Sequence, residues 1–262
     1  MAINKLNELS GKEWIRFTRS WFYINAKSRT NDEIQHPAKY PEELVQEFVS
    51  FFTKSGEMVF DPFVGVGSTI VGCQQLSRYC IGIELNKDFV KIAEPRINAQ
   101  FGKIIQGDCR RKILKIPDES VNFIITSPPY WDILKKKRGN SDSQHTERNE
   151  KGLSLYYSDK KNDLGNIDNY EVFIDELAKV FKMCKNKLKT GGYMVVVVQN
   201  FRNVDGSYMT LAWDLARKIS EFTNFCGEKI WVQENKKLGI WGYPTTFISN
   251  IHHHYCLIFR KK

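Results

Sequence analysis

No run of about 18 apolar residues occurs anywhere in the 262-residue chain, which leaves nothing to read as a membrane-spanning helix. Met1 to Ser20 mix charges with aromatics instead of passing from basic to apolar to small residues. No secretory leader is read there, and a soluble, cytoplasmic protein without a membrane partner is expected. The six cysteines (Cys73, Cys80, Cys109, Cys184, Cys226 and Cys256) form no C-x-x-C pair, so neither a zinc knuckle nor a disulfide framework is expected. Carboxylates are the minority charge, 30 against 39 lysines and arginines. The resulting +9 and a pI near 9.1 favour a polyanionic partner without identifying it. No internal repeat is found.

What is present reads as an α/β protein. From Glu57 onward, short apolar runs alternate with helical patterns, the signature of parallel strands joined by crossover helices on both faces. Seven strands are predicted: Glu57 to Asp61, Cys80 to Glu84, Lys103 to Gly107, Val121 to Thr126, Tyr193 to Gln199, Lys229 to Gln233 and Tyr255 to Arg260. Helices are predicted over Pro41 to Thr53, Ser68 to Leu76, Lys87 to Gln100, Asn169 to Leu188 and Thr210 to Glu221, with Asp168 or Asn169 capping the fourth. The length suits one domain, 1–262. Residues 1–35 read as an amino-terminal extension in which Trp14, Phe17, Trp21 and Phe22 form an apolar stripe on a helix; 133–165 read as a polar insertion too long for an ordinary connection.

Chemistry concentrates at the predicted strand ends. Asp61-Pro62-Phe63-Val64-Gly65-Val66-Gly67-Ser68-Thr69 follows a strand and opens a helix, placing two glycines where backbone can approach a ligand. Ile70 stands where the dinucleotide fingerprint needs glycine, and no Gly-Lys-Ser/Thr follows to make a phosphate loop. Glu84 ends the next strand 17 residues after Gly67, where a carboxylate can accept from two ribose hydroxyls. Asp108 ends the one after, placed to meet an adenine amine. Directly after the fourth strand comes Thr126-Ser127-Pro128-Pro129-Tyr130-Trp131.

Ser127 to Trp131 resembles the S-P-P-Y-W motif of amino-group DNA methyltransferases, and Asp61 to Thr69 resembles their D-P-F-x-G-x-G-S-T cofactor motif. His36-Pro37-Ala38-Lys39-Tyr40-Pro41 is similar to the segment preceding the cofactor helix in that family, and His254 to Arg260 to its last strand. The resemblance implies a Rossmann-like class I methyltransferase fold, a mostly parallel seven-stranded sheet in the order 3-2-1-4-5-7-6 with the last strand antiparallel. It also implies S-adenosylmethionine as cofactor. His36, Pro37, Ala38, Asp61, Pro62, Phe63, Gly65, Gly67, Ser68, Thr69, Glu84, Leu85, Asp108, Cys109 and Ser127 are the cofactor-binding residues it points to.

Ser127, Pro128, Pro129 and Tyr130 are the expected catalytic residues. An exocyclic amine is a poor nucleophile because its lone pair is delocalised into the ring. Ser127 Oγ and the Pro128 carbonyl can accept both amino hydrogens and localise that pair. The prolines fix the turn, and Tyr130 offers a face to a base rotated out of the duplex. Trp131 and the basic run Lys135, Lys136, Lys137 and Arg138 are expected to meet substrate, with a merely solvated insertion as the alternative for that run. Serine at the first motif position goes more often with N4-cytosine enzymes in the resembled family. The expected reaction is therefore N4-cytosine methylation of duplex DNA, with N6-adenine, an RNA base and a silent binding module as alternatives. A C5-cytosine enzyme would need a Pro-Cys pair, and the chain has none. A homodimer and a cognate restriction endonuclease are further partners left open. His252 and His254 could share a strand face, but without a third ligand at useful spacing no metal is expected.

Overall fold

Val59 and Phe60 point to opposite sides of one strand, and both are buried, so the sheet to which they belong must be covered on both faces. A computed structural model describes residues 4–25, 40–131, 162–203, 206–234 and 238–262. Its strands are β1 (Trp21–Tyr23), β2 (Met58–Asp61), β3 (Tyr79–Glu84), β4 (Gly102–Gln106), β5 (Val121–Thr126), β6 (Leu188–Val198), β7 (Phe201–Arg202), β8 (Tyr208–Met209), β9 (Asn224–Val232) and β10 (His253–Arg260). Eight of them form the main sheet in the order β1-β9-β10-β6-β5-β2-β3-β4, and β7 pairs with β8.

Counting the predicted strands along the chain, β4-β3-β2-β5-β6-β10-β9 is the expected 3-2-1-4-5-7-6, and β10 runs antiparallel to both its neighbours. This is the Rossmann-like topology that the resemblance implies. The chain leaves β2 toward β3 and β4, then returns to β5 on the other side of β2, opening a crevice at the carboxyl ends of β2 and β5. Alternation divides the core: Phe60, Ile124, Val196 and Leu257 face the helices Tyr170–Lys187 and Leu211–Ser220, while Val59, Phe123, Val197 and Ile258 face Glu42–Phe52 and Ser68–Gln74.

Three expectations are corrected. Among the described residues the sheet has eight strands, not seven. Helix Gly11–Phe17 stops short of Trp21, and Trp21 to Tyr23 join the sheet edge parallel to β9. Trp14 and Phe17 pack on Phe51 and Phe22 on Phe48, but Trp21 is half exposed, so the four aromatics are no single stripe. The helix predicted to run to Gln100 ends at Ala93 and tightens into a 3-10 turn over Glu94–Arg96, because Pro95 has no amide to continue the ladder. Among the described residues no helix is long and apolar enough to cross a membrane.

Candidate active site

β2 delivers Asp61 into the interior, where its carboxylate is fully buried. Oδ1 accepts from the Phe63 amide at 2.9 Å and from Thr126 Oγ1 at 2.5 Å. Oδ2 accepts from the Tyr40 hydroxyl at 3.0 Å and from Thr69 Oγ1. Burial pushes the carboxyl above its ordinary range against these four donors. With every acceptor position taken, Asp61 is a fastener. It ties the glycine loop and the following helix to the last residue of β5, immediately before Ser127. Asp61, expected from the sequence to bind cofactor, is not among the residues that line the crevice.

The loop itself lies flat on β3. Val64 N donates to Ile83 O, and a Cβ on Gly82 would meet Val64 at 2.7 Å, so only glycine lets the loop approach that strand. Gly65 and Gly67 adopt left-handed φ of 55° and 88°, and Gly67 is the N-cap of Ser68–Gln74. Glu84, at the end of β3, accepts from Gly65 N at 2.9 Å and Asn86 N at 2.7 Å. Burial pushes it up to about 7, with the two amides opposing and the charges of Asp163 and Asp61 adding. Among the described residues these two donors fill two of its four acceptor positions.

These groups surround an open cleft. Pro62, Phe63, Val64, Gly65, Val66 and Ser68 line it from the loop, Ile83, Glu84, Leu85 and Phe89 from β3 and the helix beyond, and Gly107, Asp108 and Cys109 from the end of β4. Ser127, Pro128 and Pro129 line the opposite wall, joined by Tyr40, Asn162, Asp163 and Leu164. The crevice thus brings the cofactor loop and the proline turn into one cavity. Ser68 Oγ is buried there without a hydrogen-bond partner among the described residues. The Cys109 thiol, pushed up to about 12 by burial, stays neutral.

Several expected residues stand elsewhere. Gly67 and Thr69 are not among the residues that line the cleft. Tyr130 packs against the core, and Trp131 is buried, its Nε1 donating to Ile167 O at 2.7 Å and its ring edge-on to Tyr170. Trp131 supports the turn and presents no open face to a base. Asp108 caps Cys109–Lys112. Burial works to raise its carboxyl, but hydrogen bonds from the Arg110 amide and guanidinium and from Asn162 hold it below the ordinary range. An adenine amine would have to displace one of these donors. His36, Pro37, Ala38, Lys135, Lys136, Lys137 and Arg138 lie outside the described residues, as does most of 133–165. His253 and His254 pack on Tyr255 and Trp231.

Asp163 was not expected; it caps the 3-10 turn Leu164–Asn166 and accepts from Gly165 N. An aspartate two residues before glycine signals a turn, not a site.

A Ser68 hydroxyl without a partner among the described residues, a Glu84 carboxylate facing the cleft, and apolar flanks at Leu85 and Phe89 fit S-adenosylmethionine. Glu84 would take its ribose hydroxyls, Leu85 and Phe89 its adenine, and Ser68 a polar group. A DNA methylase family model of the N6/N4 type matches residues 4–95 and 121–262, and the chain belongs to that family. S-adenosylmethionine is accordingly its cofactor. The Type II methyltransferase M.BglII of Bacillus subtilis is 31% identical over 103 residues, 39% of this chain and 24% of that protein. The Type II methyltransferase M2.DpnII of Streptococcus pneumoniae is 41% identical over 66 residues, 25% of each. The chain therefore spans about a quarter of the length of these curated relatives. A solved SAM-dependent methyltransferase from Archaeoglobus fulgidus is similar at TM-score 0.46 and 16% identity, over 84% of this chain and 94% of that one, a likeness too low to carry function.

Proposed function

We propose that the chain methylates the exocyclic N4 amine of cytosine in DNA. The observation that supports this is the sharing of one cleft by the Ser127-Pro128-Pro129 turn, the glycine loop and Glu84. S-adenosylmethionine supplies a methyl group on a positively charged sulfur. Ser127 Oγ and the Pro128 carbonyl accept the two amino hydrogens, which localises the lone pair on nitrogen and aims it across the cleft. Pro128 and Pro129 hold that carbonyl in place, and the bond from Thr126 to Asp61 sets the turn against the cofactor loop. The target base must leave the stack, because its amine is inaccessible while paired.

Incubation of the chain with tritiated S-adenosylmethionine and either duplex DNA or structured RNA, followed by nucleoside analysis, tests the proposal. Label in N4-methylcytosine is the expected result. Label only in N6-methyladenine would reassign the acceptor, and labelling of RNA alone would overturn the DNA reading.

A further inference from the structure

The carboxyl edge of the sheet carries more than the cleft. Thr126 pairs with Val196, Val198 with Tyr255, and His253 with Val232, so the connection from β9 to β10 leaves the sheet at the edge where the Ser127 turn stands. Gln199 Nε2 donating to His253 O and Gln233 N donating to His252 O fix its root there. Ile240, Tyr243 and Phe247 in this connection are 87%, 82% and 90% exposed, and Trp241 is half exposed.

Large rings so exposed are not held by burial; the segment braces itself. Asn250 Oδ1 accepts from Gly239 N at 2.9 Å and Trp241 Nε1 at 3.0 Å, while its Nδ2 donates to Gly239 O at 2.9 Å. Gly242 O accepts from Thr245 N at 2.9 Å and Thr246 N at 2.7 Å. Such bracing lowers the ordering cost of presenting the rings to a partner. Residues 238–250 contain no acidic or basic side chain, so no carboxylate repels phosphate, and the chain as a whole carries +9. The neighbouring hairpin, which follows β6 at the same edge, adds a cation, with the Arg202 guanidinium 5.8 Å over the Tyr208 ring.

Resting on the DNA reading above, we propose that residues 238–250 are a DNA-contacting element whose exposed rings pack against bases unstacked around the target. A base drawn out of the helix leaves neighbours with uncovered faces, and apolar wedges at such steps are a recurrent way to hold DNA in that state. A neutral aromatic loop beside the catalytic turn, on a basic chain, has the chemistry for that contact; a second copy of the chain is the competing occupant.

The test uses the full chain saturated with S-adenosylhomocysteine and a short labelled duplex, either fully paired or with an abasic site opposite a cytosine. Fluorescence polarisation is read over a range of salt. The double variant Tyr243→Ala/Phe247→Ala is expected to weaken binding to both duplexes on the order of tenfold or more. Its slope of log affinity against log salt should match the wild type, because no charge has been removed. Cofactor affinity and Tm should be unchanged. Wild-type DNA affinity in the variant would overturn the proposal. So would conversion of a wild-type dimer to a monomer in sedimentation with DNA affinity per chain unaltered. Methylation of DNA by the wild-type chain, run in parallel, separates the two failures: its absence overturns the reading on which the loop rests, and its presence with an indifferent variant overturns the loop alone.

Discussion

The two walls of the cleft are held by different means. On the cofactor wall, polar groups that must not move are saturated: Asp61, fully buried, takes four donors, and Asp108, half-buried, is occupied by Arg110 and Asn162. On the acceptor wall, the turn hangs on the Thr126 hydroxyl, one indole hydrogen bond from Trp131 to Ile167 and aromatic packing on Tyr170. The contrast separates scaffold from ligand sites by spare hydrogen-bonding capacity. Asp61 has none, whereas among the described residues Glu84 keeps half of its acceptor positions and the Ser68 hydroxyl has no partner.

Substitutions can break or sharpen that contrast. The largest effect is expected for Ser127→Ala, which removes an acceptor for the reacting amine: turnover should fall about 1000-fold, roughly 4 kcal/mol, with cofactor affinity by isothermal titration unchanged. Unaltered turnover would take Ser127 out of the chemistry. Asp61→Ala strands buried hydroxyls of Thr69, Thr126 and Tyr40 and should cost about 3 kcal/mol in urea unfolding. Wild-type stability with a selective loss of cofactor affinity would return Asp61 to the ligand shell.

Glu84 should make cofactor affinity depend on pH. Its carboxyl is raised to about 7, and hydroxyl donors favour the ionised form. Affinity should therefore climb as pH rises through 7, level off above, and fall as the group protonates below. Glu84→Gln should flatten that profile and weaken binding about tenfold at pH 8. The smallest effect is expected for Trp131→Phe, which keeps the ring and loses the bond to Ile167 O. A loss of about 1 kcal/mol in stability is expected, with kcat lowered and cofactor affinity intact. Equal damage to both functions would mean that the two walls are not independently held.

Much of the fold was legible because its signals are local. The apolar runs of β2, β3 and β5 and the spacing of Leu44, Val45, Phe48, Val49 and Phe52 name a sheet and a helix without tertiary information. β1 escaped because three residues with an exposed, half-buried, exposed pattern carry no periodic signal. β6 begins at Leu188, earlier than its apolar run, because β5 pairs with it across a stretch holding two glycines and a register shift. In the site, the loop glycines, Glu84 and the proline turn could be named from motif order. The duty of Asp61 could not, since an aspartate beside a glycine loop looks the same whether it faces a ligand or three hydroxyls. Asp163 reaches the cleft only through the packing of a segment with no periodicity of its own.

The short outer strand has a practical consequence. Ser20 O accepts from Ile230 N, Ile24 O accepts from the Trp231 indole, and the Lys229 amine lies 3.7 Å from the centre of the Phe17 ring, donating to Phe17 O. Burial depresses the pKa of that amine. Cutting the chain just beyond Ile24 would uncover a row of unpaired amides and carbonyls on β9, take the Phe17 carbonyl from the Lys229 amine and leave it Glu47 alone at 3.6 Å, and turn a finished border into a template for intermolecular pairing. Any shortened version made for crystallisation should therefore keep these opening residues.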